Sequence, residues 1–179
     1  MYRKAVNNKL RGGVISLIIT AVFMAVFIII TEGAALYIFC AVIAAFMALI
    51  ASSLFRYVTC LGELKEQYGY DLEADIDACE DHCSNKYFFF DDCLIYLANA
   101  RMIFYSEIKS ISGLTTRAHR TSSGHMGYAG AAVELKMSDG SSYMFTDFGS
   151  YAAKDSTDIL DGYHKFCDYL AEYAPQSIE

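Results

Sequence analysis

The chain has no tryptophan and a single proline, and charged residues make up only 20% of it. The scarcity of proline excludes collagen-like and proline-rich chains. So few charges beside 55% hydrophobic residues exclude an acidic disordered tail. A Gly-rich phosphate loop, a Gly-x-Ser-x-Gly elbow and a His-Glu-x-x-His pair are missing as well. Charge is also unevenly distributed: none occurs from Val14 to Thr31, nor from Ala34 to Phe55.

What is present begins with those two runs. At 179 residues the chain has room for one globular domain and something small. A spanning helix needs about 17–25 apolar residues. Both runs qualify, and they predict spans over about 14–31 and 34–55. Glu32 and Gly33 between them fit a tight turn. A signal peptide is the first competing reading, given Arg3, Lys4, Lys9 and Arg11, but the apolar stretch exceeds an h-region and a second run follows. Buried core helices are the second, and two such long uncharged runs argue against them. Residues 1–13 hold four Lys/Arg and no acid, and Arg56 follows the second run. Positive flanks stay in the cytoplasm, so a multi-pass hairpin in the cell membrane with both termini cytoplasmic is expected. Ala21 with Ala25, Ala41 with Ala45, and Ala44 with Ala48 and Ser52 carry small residues at helix-packing spacing. They either dimerise the hairpin, or simply pack it on itself or reflect alanine-rich composition, and the second reading is preferred.

Residues 57–179 hold nine Lys/Arg against twenty Asp/Glu, a net of −11. That sign disfavours nucleic acid and the anionic inner leaflet as partners. Tyr57, Leu61, Leu64 and Tyr68 share one helical face, which predicts a helix running out of the membrane to about Gly69. Segment 71–84 fits helix and strand patterns alike; helix is preferred because Ile76 is its one β-branched residue. The domain division is then 1–56, tail and hairpin; 57–85, a juxtamembrane helical segment; and 86–179, a β domain.

From Lys86 the pattern is β. Strands are expected over Tyr87–Phe90, Cys93–Leu97, Met102–Tyr105, Ile108 to about Arg117, Tyr128–Met137 and Tyr143–Phe148. Asp91-Asp92, Asn99 and Ser138-Asp139-Gly140-Ser141 mark turns, and Thr121–Gly127 reads as a loop. A helix from about Ala153 to Tyr173 carries the apolar stripe Ile159, Tyr163, Phe166 and Leu170, and Pro175 stops it. The segments KYFFFDDCLIYL, IFYSEIKSI and VELKMSDGSSYMFTDF, with the closing helix and two preceding spans, resemble the bacterial pleckstrin-homology-like (PH-like) domains of small membrane proteins. The resemblance implies an antiparallel, open curved sheet closed by the C-terminal helix, an α+β domain on a membrane hairpin. Lipid-binding relatives of that kind use bases around the first hairpin. Here that turn is Asp91-Asp92, with Lys86 the one base nearby.

The chemistry-bearing candidates are few. Cys79, His82 and Cys83 form a metal-like cluster, but zinc wants four ligands and no second short-spaced pair follows. On a helix both thiols share the face of Leu72 and Ile76, as buried thiols do. No metal and no cofactor are therefore expected. Arg117, His119, Arg120 and His125 form a basic group beside a Thr-Ser-Ser-Gly loop, the place where an anion would bind if one does. Neighbouring acids at Glu80-Asp81 and Asp91-Asp92 point apart and do not make a catalytic pair. The expectation is a non-enzymatic membrane-anchored adaptor with a protein partner or self-association. The alternatives are a small-anion sensor using Arg117–His125 and, more weakly, a cysteine-based redox or metal protein.

Overall fold

The computed structural model describes residues 1–30, 34–69, 71–120, 126–146, 148 and 156–175. They form an α+β chain of two compact units. The first comprises residues 1–73 with 98–100, and the second residues 74–97 with 101–179.

The first unit is built on two helices, α1 (Tyr2–Ile30) and α2 (Ala34–Tyr68). α2 ends where expected, at Gly69, whose φ of 110° is open to glycine at no steric cost. The two helices pack along one seam. On α1 the less exposed positions include Val6, Leu10, Gly13, Leu17, Thr20, Met24 and Phe27. On α2 they include Ile43, Met47, Ile50, Leu54, Tyr57, Leu61, Leu64 and Tyr68. Steps of three and four alternate along both, the 3.5-residue period of a coiled-coil seam. Phe27 stacks on Phe39 at a ring-centroid distance of 3.6 Å near one end. At the other, Tyr2 is buried and Lys65 Nζ stands 5.2 Å from its ring centroid.

The small residues do not make this seam. Ala21, Ala25, Ala41, Ala44, Ala45, Ala48 and Ser52 are all exposed. Of the two preferred options, packing the hairpin on itself is corrected, and alanine-rich composition is the one left. Their phase differs from that of the 3.5-residue stripe, so the larger seam residues meet first.

Segment 71–84 is helix and then strand. α3 (Leu72–Ala78) stops short of Cys79, and β1 (His82–Cys83) follows. The preference for helix holds only through Ala78. β1 turns directly into β2 (Tyr87–Phe89). Ser84 and Asn85 both have positive φ, 57° and 54°, and Lys86 N donates to Cys83 O at 3.1 Å, a type I′ turn; Cys83 pairs with Tyr87, so residues 84–86 lie between the strands. The pairing continues through β3 (Cys93–Tyr96) and β4 (Arg101–Phe104), giving an antiparallel sheet in the order β1-β2-β3-β4. A second antiparallel sheet has the order β5-β6-β7, from β5 (Ile108–Arg120), β6 (Met126–Met137) and β7 (Ser142–Phe145). A single curved sheet was expected. The 3₁₀ turn Tyr105–Glu107 redirects the chain between β4 and β5, and the two strands do not pair.

Both sheets and α4 (Ser156–Tyr173) share one core. Tyr87 packs at 4.8 Å from Phe166 of the helix and 5.7 Å from Phe145 of the second sheet. Val133, Leu135 and Met137 alternate inward on β6, as the sequence pattern predicts. On α4, Tyr163, Phe166 and Leu170 are buried and Ile159 is half-buried.

Candidate functional site

Two surfaces carry the functional question: the outer face of the helical hairpin and the sites of the β domain. The hairpin places its apolar residues outward. Ile29 is 83% exposed, Phe55 77% and Tyr37 76%. Among the described residues, none of the most apolar stretch of α1 is buried. A core helix of a soluble domain would bury such a face. Three hydroxyls on these helices bond to the helix backbone, Thr20 Oγ1 donating to Ser16 O at 2.8 Å, Ser52 Oγ to Leu49 O at 2.9 Å and Thr59 Oγ1 to Phe55 O at 3.1 Å. That suits an environment without water. Both helices are long and apolar enough to cross a membrane.

Beside the apolar stretch, charge is tied down locally. Lys65 Nζ donates to Glu73 Oε1 at 2.7 Å, and Arg3 Nε lies 3.7 Å from Glu73 Oε2. These partners hold the Glu73 carboxyl below its usual range, the Lys65 hydrogen bond being the larger cause.

In the β domain the cysteine cluster comes apart. Cys79 lies beyond the end of α3, and its Sγ donates to the carbonyls of Asp81 at 3.3 Å and Phe89 at 3.5 Å. Cys83 is buried in β1 and donates to Gly162 O of α4 at 2.9 Å. His82 Nδ1 meets Glu80 O, and its ring lies 6.0 Å from Phe88. No helical face is shared, which corrects the reason given for grouping the two thiols. Among the described residues no three His, Cys, Asp or Glu side chains converge on a metal position. Burial, first of all, raises the pKa of Cys79, Cys93 and Cys167, with Cys93 pushed up to about 11. A nucleophilic or metal-binding cysteine needs the opposite shift.

The basic group is partly brought together by backbone register. Arg117 pairs opposite Gly130, His119 opposite Gly127 and Arg120 opposite Met126. All three sit at the end of the long β5–β6 ribbon, beyond the reach of β7, whose pairing runs from Val133 to Lys136. β5 runs three residues past the expected end. His125 lies outside the described residues.

Around the first hairpins the charge is acidic. Asp91 and Asp92 are exposed, and Lys86 is only 3% exposed. The base that a lipid headgroup would need there is inside the domain. Sequence reading missed Asp81, whose Oδ2 accepts a hydrogen bond of 2.5 Å from Tyr173 Oη of α4. Ninety-two positions separate the two, and no local pattern signals the pair. Comparison with family models, with curated proteins and with solved structures finds no match to this chain.

Proposed function

We propose that this chain is a non-enzymatic adaptor held at the cytoplasmic face of a membrane by its helical hairpin, with the β domain as a PH-like interaction module. The observation that carries the reading is the outward apolar face of α1 and α2, whose most apolar α1 stretch is not buried among the described residues. Lipid is the solvent that such a face fits. The Lys/Arg bias of residues 1–13 and Arg56 sets both termini inside. Seven antiparallel strands followed by one helix seated in the core support the PH-like reading. The raised thiol pKa values argue against cysteine chemistry. Tethering then does the work: it confines the module to a thin layer and raises its encounter rate with membrane partners.

Reporter fusions at each terminus test the anchor, and both should report cytoplasm. Cross-linking in native membranes tests the adaptor role, and a discrete protein adduct through the β domain is expected. A terminus on the far side overturns the hairpin, and absence of any adduct overturns the adaptor. A second reading, a small-anion sensor, draws on the register that gathers Arg117, His119 and Arg120 at one ribbon end. Phosphate or carboxylate binding lost in Arg117→Glu with Arg120→Glu would favour it.

A further inference from the structure

We propose that the depression between β4 and the β6–β7 hairpin is a docking groove for an extended segment of a partner protein that carries lysine or arginine among apolar residues. The proposal rests on the adaptor reading and names the partner's chemistry.

The groove has about 240 Å³ of free volume, with Met102, Ile103, Met137 and Tyr143 among its lining. Small-molecule sites usually span about 300–1,000 Å³. This volume takes one or two side chains instead. Its two long walls are strand edges: β4 ends the first sheet and β7 ends the second. An edge strand offers a row of backbone donors and acceptors for another extended chain. Two contacts hold the walls in place. The Arg101 guanidinium lies 4.4 Å from the Tyr143 ring centroid. Ser138 donates to Glu107 O twice, from N at 2.8 Å and from Oγ at 3.0 Å. The groove is therefore set before anything enters it. Its two methionines give the floor an adaptable surface.

Charge selects the occupant. Glu107 and Asp139 stand on the lining, and neither carboxylate has a salt bridge to a basic residue among the described residues. Asp139 Oδ1 accepts from Ser141 N at 2.8 Å and from Ser141 Oγ at 2.7 Å, which favours the ionised carboxylate. Lys136 is exposed on the opposite face of β6 from the buried Met137, so it does not neutralise the rim. With Arg101 held on the Tyr143 ring at one wall, Glu107 and Asp139 leave the rim with one net negative charge over its apolar floor, which favours a cationic, apolar strand over anionic lipid.

The test uses the full chain in phosphatidylcholine nanodiscs with methyl-labelled methionine. The probe is a capped nine-residue peptide alternating lysine and valine. Its controls carry glutamate for lysine, or proline at two valine positions. The lysine peptide should shift the Met102 and Met137 methyls and leave Met24 and Met47 of the hairpin unmoved. The control peptides should leave all four unmoved. Glu107→Lys with Asp139→Lys should weaken the lysine peptide roughly tenfold or more. If that variant does not fold, Glu107→Gln with Asp139→Asn retains an acceptor in the turn and should show a smaller loss. No binding, equal binding of the lysine and glutamate peptides, or shifts confined to other methionines overturns the groove. A protein adduct that forms in membranes and survives the double charge reversal also overturns the groove, while leaving the adaptor standing. Absence of any adduct overturns the adaptor itself.

Discussion

Gly13 of α1 lies against Leu54 of α2 so closely that a Cβ on Gly13 would stand 2.8 Å from Leu54 Cγ and 2.9 Å from Cδ1. The pair fixes the register of the hairpin. Eleven positions separate Tyr2 from Gly13, and eleven separate Leu54 from Lys65. The seam therefore stays in phase from the Tyr2–Lys65 contact to the Gly13–Leu54 contact. Gly13→Ile should destabilise the hairpin by about 1–3 kcal/mol through overpacking. Leu54→Ala in the same chain should recover part of that loss, because it vacates the space the isoleucine needs. Thermal unfolding of the two single variants and the double variant in detergent measures the coupling. Strictly additive effects would remove the register role.

Two tyrosines with stacked rings, 5.9 Å apart, should respond in opposite senses to loss of the hydroxyl. Tyr173 Oη donates to the Asp81 carboxylate, and Tyr173→Phe should cost about 1–2 kcal/mol. The Tyr105 hydroxyl is buried and, among the described residues, has no partner at hydrogen-bonding geometry. The nearby Phe90 backbone offers it only partial stabilisation, since the Phe90 amide already donates to Cys93 O. Tyr105→Phe should therefore be neutral or raise the melting temperature. A large loss at Tyr105 would show that its hydroxyl has a partner after all.

Much of this architecture is legible in the residues, for identifiable reasons. Uncharged runs longer than a core helix needs mark α1 and α2. Alternating Val133, Leu135 and Met137 mark β6, and Ser-Asp-Gly-Ser marks its turn. β1 escapes because two residues carry no alternation and its turn, Ser84-Asn85, lacks the glycine that usually signals positive φ. The hairpin seam escapes because alanines at four-residue spacing attract attention, while the 3.5-residue stripe is set among equally apolar neighbours. The groove escapes because residues 102–107 and 137–143 meet only after both sheets form.

Anionic vesicles should not capture residues 57–179. Residues 57–179 carry a net charge of −11, and the first β2–β3 turn presents Asp91 and Asp92 while Lys86 is buried. Each base near an anionic surface adds only about 1 kcal/mol. A soluble form of residues 57–179 should stay in the supernatant at pH 7 and physiological salt, with weak sedimentation at most near pH 6 as histidines gain charge. Strong sedimentation at pH 7, lost in Arg117→Glu with Arg120→Glu, would make the β5–β6 ribbon end a lipid site.

Stability should fall on the alkaline side, and the buried thiols and phenols set the window. Cys93 is raised to about 11, first by burial and then by the Asp92 charge. Tyr105 is raised further, again chiefly by burial, and Cys79 and Cys167 move in the same direction. Each group therefore holds its proton more tightly in the folded chain than in the unfolded one. Below the unfolded thiol value, about 8.5, both states are protonated and the contribution is complete. As pH rises from there through about 11, the unfolded chain releases protons that the folded chain keeps, and stability is lost. Cys93 alone accounts for roughly 2–3 kcal/mol across that interval. Thermal melts of the full chain in nanodiscs from pH 7 to 11 should show this decline, and Cys93→Val should flatten it. At pH 8 iodoacetamide should label Cys93 only after unfolding. A level profile, or rapid labelling of the folded chain, would mean that the Cys93 thiol is neither sealed from water nor protonated, and would return the cysteines to consideration as reactive groups.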